Sequence, residues 1–203
     1  MKQSIAVVDY GMGNLRSASK ALEAVGAKVQ VSGKARDILK ADKLVFPGVG
    51  AFKDAMEELR TRKLIDPIKE FVSSGRPFLG LCLGLQLLFP KSEEAGSCRG
   101  LSLIEGKVLK FKPGKLKVPH MGWNRIYAMN GCPLFKGIRD GAYVYFVHSY
   151  YALPEDKGFV AAYTDYGVKF ASAIWSDNIY ATQFHPEKSQ ELGLQILRNF
   201  LKI

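Results

Sequence analysis

Apolar residues recur in two rhythms along this chain, and the changeover comes near its middle. In the first half, short apolar runs alternate with stretches whose apolar positions fall every three or four residues. Residues 5–10 read as a strand ending in the turn Gly11-Met12-Gly13-Asn14. A helix follows over 14–25, with Leu15, Ala18, Leu22 and Val25 on one face and Gly26 as its stop. Residues 29–31 make a short second strand and residues 43–46 a third, which runs directly into Pro47-Gly48-Val49-Gly50. Helices are predicted over 52–60 and again from Asp66-Pro67, the latter with Ile68, Phe71 and Val72 inward and Gly75 closing it. Residues 78–81 form an entirely apolar strand, and a short apolar helix follows Cys82. This alternation predicts an α/β fold, an open, mainly parallel central sheet flanked by helices, whose functional residues lie at the carboxyl ends of the strands.

After Glu94 the rhythm changes to period two. Strands are predicted over 101–104, 107–111, 123–128, 143–150, 159–163, 170–175 and 179–184. Asp165-Tyr166-Gly167 and Ser176-Asp177-Asn178 read as hairpin turns. This half is expected to add an antiparallel or mixed sheet to the parallel one. A last helix over 189–201 would bury Leu192, Ile196, Leu197 and Phe200. No linker, repeat or low-complexity segment intervenes, so 1–203 reads as a single domain.

Composition narrows the picture. Three cysteines, an odd number without paired spacing, argue against a disulfide framework or a zinc cluster, and no metal is expected. The apolar run in the first nine residues is too short for a signal peptide, and no stretch reaches membrane-spanning length. A cytoplasmic protein without a membrane partner is expected. The net charge of +10 is scattered, except for Lys107, Lys110, Lys112, Lys115 and Lys117 around the single aromatic Phe111. A solvated hairpin is the first reading of that cluster, an acidic or phosphorylated partner the second, nucleic acid the last. The glycine turn after the first strand invites a dinucleotide site. Arg16 stands where the third glycine would be, and no acid ends the second strand, so no nucleotide cofactor is expected.

Cys82 sits in Gly80-Leu81-Cys82-Leu83-Gly84, between a buried strand and a helix. This is the cysteine form of the strand–turn–helix elbow that presents a nucleophile, with the helix N-terminus favouring thiolate. A buried structural cysteine reads equally well from this stretch alone. A nucleophile needs a base and the base an orienting group. Of three histidines, His185 falls just after a strand in His185-Pro186-Glu187. The proline favours extended backbone, so Glu187, two residues on, lies on the same side as the imidazole and can hold its tautomer. The glycines of Pro47-Gly48-Val49-Gly50 leave backbone N–H groups free for a developing oxyanion. His120 and His148 read as structural or interface residues.

These three segments resemble the signatures of the class I, triad-type glutamine amidotransferases. Asp9-Tyr10-Gly11-Met12-Gly13-Asn14, Pro119-His120-Met121-Gly122-Trp123-Asn124, Tyr145-Phe146-Val147-His148-Ser149-Tyr150-Tyr151 and Gln183 to Ser189 are similar to the glutaminase subunits of imidazole glycerol phosphate synthases. The resemblance implies a flavodoxin-like fold and no cofactor. It implies Cys82, His185 and Glu187 as the triad, and glutamine and oxyanion contacts from Gly48, Val49, Gly50, Leu83, Gln86, Ser149 and Tyr150. It further implies a (β/α)₈-barrel cyclase subunit as partner in a heterodimer, reached through Tyr10, Gly11, Asn14, Trp123 and Lys188. Ammonia from L-glutamine would pass to that subunit, which makes imidazole glycerol phosphate and AICAR in histidine biosynthesis. Two alternatives stay open at this point: a paralogue feeding ammonia to surface-sugar amination, and a catalytically silent regulatory subunit. The Gly48-Val49 peptide is expected to be the mobile element that withholds oxyanion donors until the partner binds.

Overall fold

The computed structural model describes residues 3–112, 114, 116–129 and 131–203. In chain order the strands and helices are β1 (Ser4–Val8), α1 (Leu15–Ala24), β2 (Lys28–Ser32), α2 (Ala35–Lys40), β3 (Lys43–Gly48), α3 (Phe52–Thr61), α4 (Ile65–Ser73), β4 (Phe78–Cys82) and α5 (Leu83–Gln86). There follow β5 (Lys91–Ser92), β6 (Gly106–Lys110), β7 (His120–Ala128), β8 (Ala142–His148), β9 (Tyr150–Pro154), β10 (Val160–Asp165), β11 (Lys169–Ser176), β12 (Ile179–Thr182) and α6 (Gln190–Lys202).

One sheet carries both rhythms, in the order β2-β1-β3-β4-β12-β11-β10-β7-β8. β1 to β4 and β12 run parallel, and from β12 onward the neighbours are antiparallel. The second half is therefore an extension of the parallel sheet, joined where β12 pairs in parallel with β4. β5, β6 and β9 hang from β11 as a side branch.

The central strands read as unbroken apolar runs because both faces are covered. Ala6, Val8, Leu44 and Phe46 face one layer, with Ile38 of α2, Phe52 and Leu59 of α3, and Ile68 and Phe71 of α4. Ile5, Val7, Val45 and Leu79 face the other, with Ala18 and Leu22 of α1 and Ile196, Leu197 and Phe200 of α6. Lys43 is the cation buried between β3 and α6. Its Nζ donates to the carbonyls of Phe200 and Leu201 (2.8 and 3.0 Å), capping the last turn of α6 where the helix dipole favours positive charge. Burial lowers its pKa to about 8, against a smaller opposing pull from Asp42.

Several expectations need correction. Residues 101–104 are not a strand. Ser102 has a left-handed backbone (φ 54°), and the N–H groups of Leu101, Leu103 and Ile104 donate to the carbonyls of Leu87 and Leu88 behind α5. Residues 143–150 are two strands with different neighbours: β8 pairs with β7, β9 with β6, and the chain changes partner at Ser149. A period-two pattern runs through such a change unaltered. The basic segment is no hairpin, since β6 pairs with β5 and β9 while β7 pairs with β8 and β10. Lys107, Lys110, Lys112 and Lys117 are exposed, and Lys115 lies outside the described residues. Among the described residues no helix is long and apolar enough to cross a membrane.

Candidate active site

The carboxyl ends of β3, β4 and β12 lie side by side: Gly48 is in register with Cys82, and Leu81 with Thr182. Cys82 ends β4 with φ 55° and ψ −104°, a conformation that costs a non-glycine residue free energy and that points its side chain out of the sheet. The turn is sharp enough to exclude side chains around it. A Cβ on Gly80 would lie 2.8 Å from the Gly84 carbonyl oxygen, and one on Gly84 would lie 2.1 Å from the Phe46 carbonyl oxygen. α5 is thus pressed onto β3, and the nucleophile position is set by backbone-to-backbone contact. Gly48 is similarly confined, since its Cβ would meet the Tyr10 hydroxyl at 2.8 Å and the Leu83 Cβ at 2.9 Å.

His185 approaches from β12. Its backbone N–H donates to the Tyr145 carbonyl (2.9 Å), and its carbonyl accepts from the Ser189 hydroxyl (2.6 Å), which itself accepts from Tyr145 N–H. β8 and the Ser189 cap of α6 therefore hold the His185 backbone in place. Nδ1 bonds Glu187 Oε1 at 2.8 Å with both side chains buried, while Nε2 and Glu187 Oε2 are buried without a partner. Burial alone would lower the His185 pKa, but the Cys82 sulfur first and the Glu187 carboxylate second hold its proton and raise it to about 10.

A cleft of about 320 Å³ opens over these groups, lined by Val49, Gly50, Cys82, Leu83, Gln86, Ser149, Tyr150 and His185. Eight of the expected site residues are thus brought together. Gly48 lies one residue behind the lining, and Glu187 stands behind His185. Four further lining residues, Glu94, Pro119, Val147 and His148, were not among the expected contacts. Glu94 is the one carboxylate in the lining, and it is fixed by accepting the Phe52 N–H (2.9 Å). It comes from an irregular stretch, and no pattern or motif marked it.

The expected partner-facing residues divide. Gly11, Asn14 and Lys188 are exposed, and Trp123 is 47% exposed. Trp123 and Lys188 each lie against the Tyr145 ring, at 6.1 and 5.9 Å. Tyr10 is a correction: it is wholly buried against Phe46 (5.3 Å), so it cannot present a surface. Its turn of sequence is polar and glycine-rich, but the ring points back into the core. Burial, and second the charge at Cys82, push its phenol well above the ordinary range, so the hydroxyl stays a donor.

His148 lines the cleft but is spoken for. Its Nδ1 faces the Tyr150 carbonyl (2.7 Å), so that nitrogen carries the proton and Nε2 accepts from His120 Nδ1 (2.9 Å). His120 Nε2 in turn accepts from the Asn124 amide (3.2 Å), which also donates to the Asp165 carbonyl (2.9 Å). Burial drives the pKa of His120 down to about 4 and of His148 to about 3, the latter despite the Tyr150 carbonyl. Both rings are neutral, and the string has one direction.

The cleft can perform acyl transfer: a strained cysteine, an imidazole with an acidic orienter, and a glycine-lined wall. Among the described residues no cluster of three or more His, Cys, Asp or Glu could hold a metal. A family model described as Glutamine amidotransferase class-I matches residues 6–203. The imidazole glycerol phosphate synthase subunit HisH of Syntrophotalea carbinolica is 55% identical over 203 residues, covering 97% of this chain and 98% of that protein. The protein of the same name from Aquifex aeolicus is 53% identical over 195 residues, covering 96% of this chain and 94% of its own. Among solved structures, PurLQS from Thermotoga maritima has a TM-score of 0.76 at 20% identity, covering 100% of this chain and 99% of that one, a likeness of fold.

Proposed function

We propose a function from one premise: this chain belongs to the class-I glutamine amidotransferase family. It is the glutaminase subunit of an imidazole glycerol phosphate synthase. It hydrolyses glutamine to glutamate and ammonia, which a partner subunit consumes in histidine biosynthesis. The observation that carries the glutaminase reading is the meeting of Cys82 and His185 in one cleft, with Glu187 2.8 Å behind the imidazole. The identity of more than half with the HisH relatives over nearly the whole chain carries the choice of acceptor over a sugar-amination paralogue.

The geometry of the cleft supports the following residue roles. The Cys82 thiolate attacks the amide carbon of glutamine, forming a C–S bond and an oxyanion. The N–H groups of the 48–50 segment and of Leu83 receive that oxygen. The C–N bond then breaks as imidazolium His185 gives its proton to the leaving nitrogen, releasing ammonia and leaving a γ-glutamyl thioester. His185 takes a proton from water, the resulting hydroxide displaces the thiolate, and glutamate leaves. Gln86, Ser149 and Tyr150 hold the polar end of glutamine, and Glu94 is placed to take its ammonium group. The ammonia acceptor is a (β/α)₈-barrel cyclase reached through the exposed Gly11, Asn14, Trp123 and Lys188.

The test is to mix the chain with the cyclase subunit of the same organism and follow glutamate release and imidazole glycerol phosphate together. The two should appear in equal amounts, faster than glutamate release from the chain alone. Equal rates with and without the cyclase would remove the idea that the Gly48-Val49 peptide is gated by the partner. No glutamine-dependent product would remove the assigned acceptor. In the same assay Gly84→Ala should lower kcat on the order of 10²-fold, because its methyl must lift α5 off the Phe46 carbonyl and a displacement near 1 Å has that cost. A wild-type kcat in Gly84→Ala would contradict the backbone contact as the element that places Cys82.

A further inference from the structure

Gln183 is wholly buried on the segment between β12 and His185, and nothing in the triad uses it. Its orientation is nevertheless dictated, atom by atom, from the glutamine-binding side of the cleft. The Tyr150 carbonyl can only accept, so the Gln86 group 3.0 Å away from it must be the amide nitrogen. The same Gln86 Nε2 lies 3.1 Å from Gln183, so Gln183 must present its oxygen there. Its own Nε2 is then left facing Cys82 Sγ at 3.8 Å, within reach of a hydrogen bond to sulfur. Across the sulfur, the Val147 carbonyl stands at the same 3.8 Å. A carbonyl there suits a thiol and opposes a thiolate; an amide N–H suits the thiolate.

We propose that Gln183 is a catalytic residue of the glutaminase centre, the amide donor that holds the Cys82 thiolate and ties its position to Gln86 in the glutamine pocket. The proposal rests on Cys82 being the nucleophile. The Gln183 amide stabilises the charge on sulfur before attack and receives it again when the thioester is hydrolysed. It acts beside His185, whose proton leaves with ammonia; Gln183 keeps its protons throughout. Because Gln86 and Gln183 share one hydrogen bond, a glutamine molecule that engages Gln86 also tightens or loosens the donor on the sulfur. Among the described residues, the charged and titratable groups around that sulfur are His185 with Glu187 after β12, Tyr10 after β1, His148 from β8 and Glu94 in the same cleft lining.

Two substitutions separate donation from packing. Gln183→Met keeps the volume and removes the donor. Gln183→Glu keeps an oxygen for Gln86 and replaces the N–H with a second oxygen beside the sulfur. On the full chain, iodoacetamide labelling of Cys82 is followed against pH by peptide mass spectrometry, which separates it from Cys98 and Cys132. The labelling midpoint should rise by about one pH unit in Gln183→Met and further in Gln183→Glu. In the complex with the partner subunit, kcat for glutamine should fall at least tenfold in both, with KM within about threefold of wild type. A merely structural role would lower thermal stability and leave the midpoint where it was. A wild-type midpoint in either folded variant overturns the proposal. If instead Cys82→Ala keeps glutamine turnover, the glutaminase reading itself has failed, whatever Gln183 does to the labelling.

Discussion

Cys82→Ala is expected to abolish glutamine-dependent synthesis of imidazole glycerol phosphate while synthesis from added ammonium salts continues. In the proposed reaction the sulfur forms the covalent intermediate, and the elbow holds Cys82 in strained backbone at φ 55°. Losing the nucleophile of such a unit typically lowers turnover on the order of 10⁴–10⁶-fold. The ammonia-dependent reaction belongs to the partner and reports that the partner is active, while co-elution of the variant with the partner reports that it still folds and docks. Alanine keeps the Cβ that already fits the turn, and little stability should be lost. Retained glutamine-dependent synthesis in Cys82→Ala would sink the assignment of the nucleophile.

Glu187→Gln should follow at on the order of 10³–10⁴-fold in kcat, with KM for glutamine nearly unchanged. Glu187 does not line the cleft, so glutamine binding has no direct reason to change. What changes is the imidazole. The carboxylate is one of the influences that raise the His185 pKa, and its second oxygen has no partner to share the charge. An amide in its place removes the charge, so the His185 pKa falls and the imidazolium that must protonate the leaving nitrogen is less populated. The amide nitrogen also competes to face Nδ1, which would select the wrong tautomer. Steady-state kinetics together with an NMR titration of His185 would check both parts. An unchanged kcat, or a histidine midpoint that does not fall, would separate Glu187 from the proton chemistry.

The sequence made the elbow legible because its glycines are demanded by backbone contacts that leave no room for a side chain. Gly80 and Gly84 are such cases, and so is Gly48 beside the Leu83 Cβ. The pairing of His185 with Glu187 was legible, but not for the reason expected: only His185 is extended, and Pro186–Lys188 form a 3-10 turn that brings the carboxylate back to the ring. Less local features escaped. The register of β4 with β12 joins residues about a hundred apart, and no local pattern encodes it. α2 was missed because its six residues contain one fully buried side chain, Ile38, which leaves no periodic stripe. Tyr10 was misplaced because a glycine-rich turn says where the chain bends and not where a ring points. Gln183 was in plain view next to His185, yet its meaning depends on Gln86 and Tyr150, which the fold brings to it.

The string from Asn124 through His120 and His148 to the Tyr150 carbonyl has a consequence for proton traffic. Each end closes on an amide group that neither gives up nor takes a proton near neutral pH, and both rings between are neutral. Such a string is an insulator, not a wire. It lets a second imidazole line the wall of a cleft where protons move, and it keeps that imidazole from short-circuiting His185.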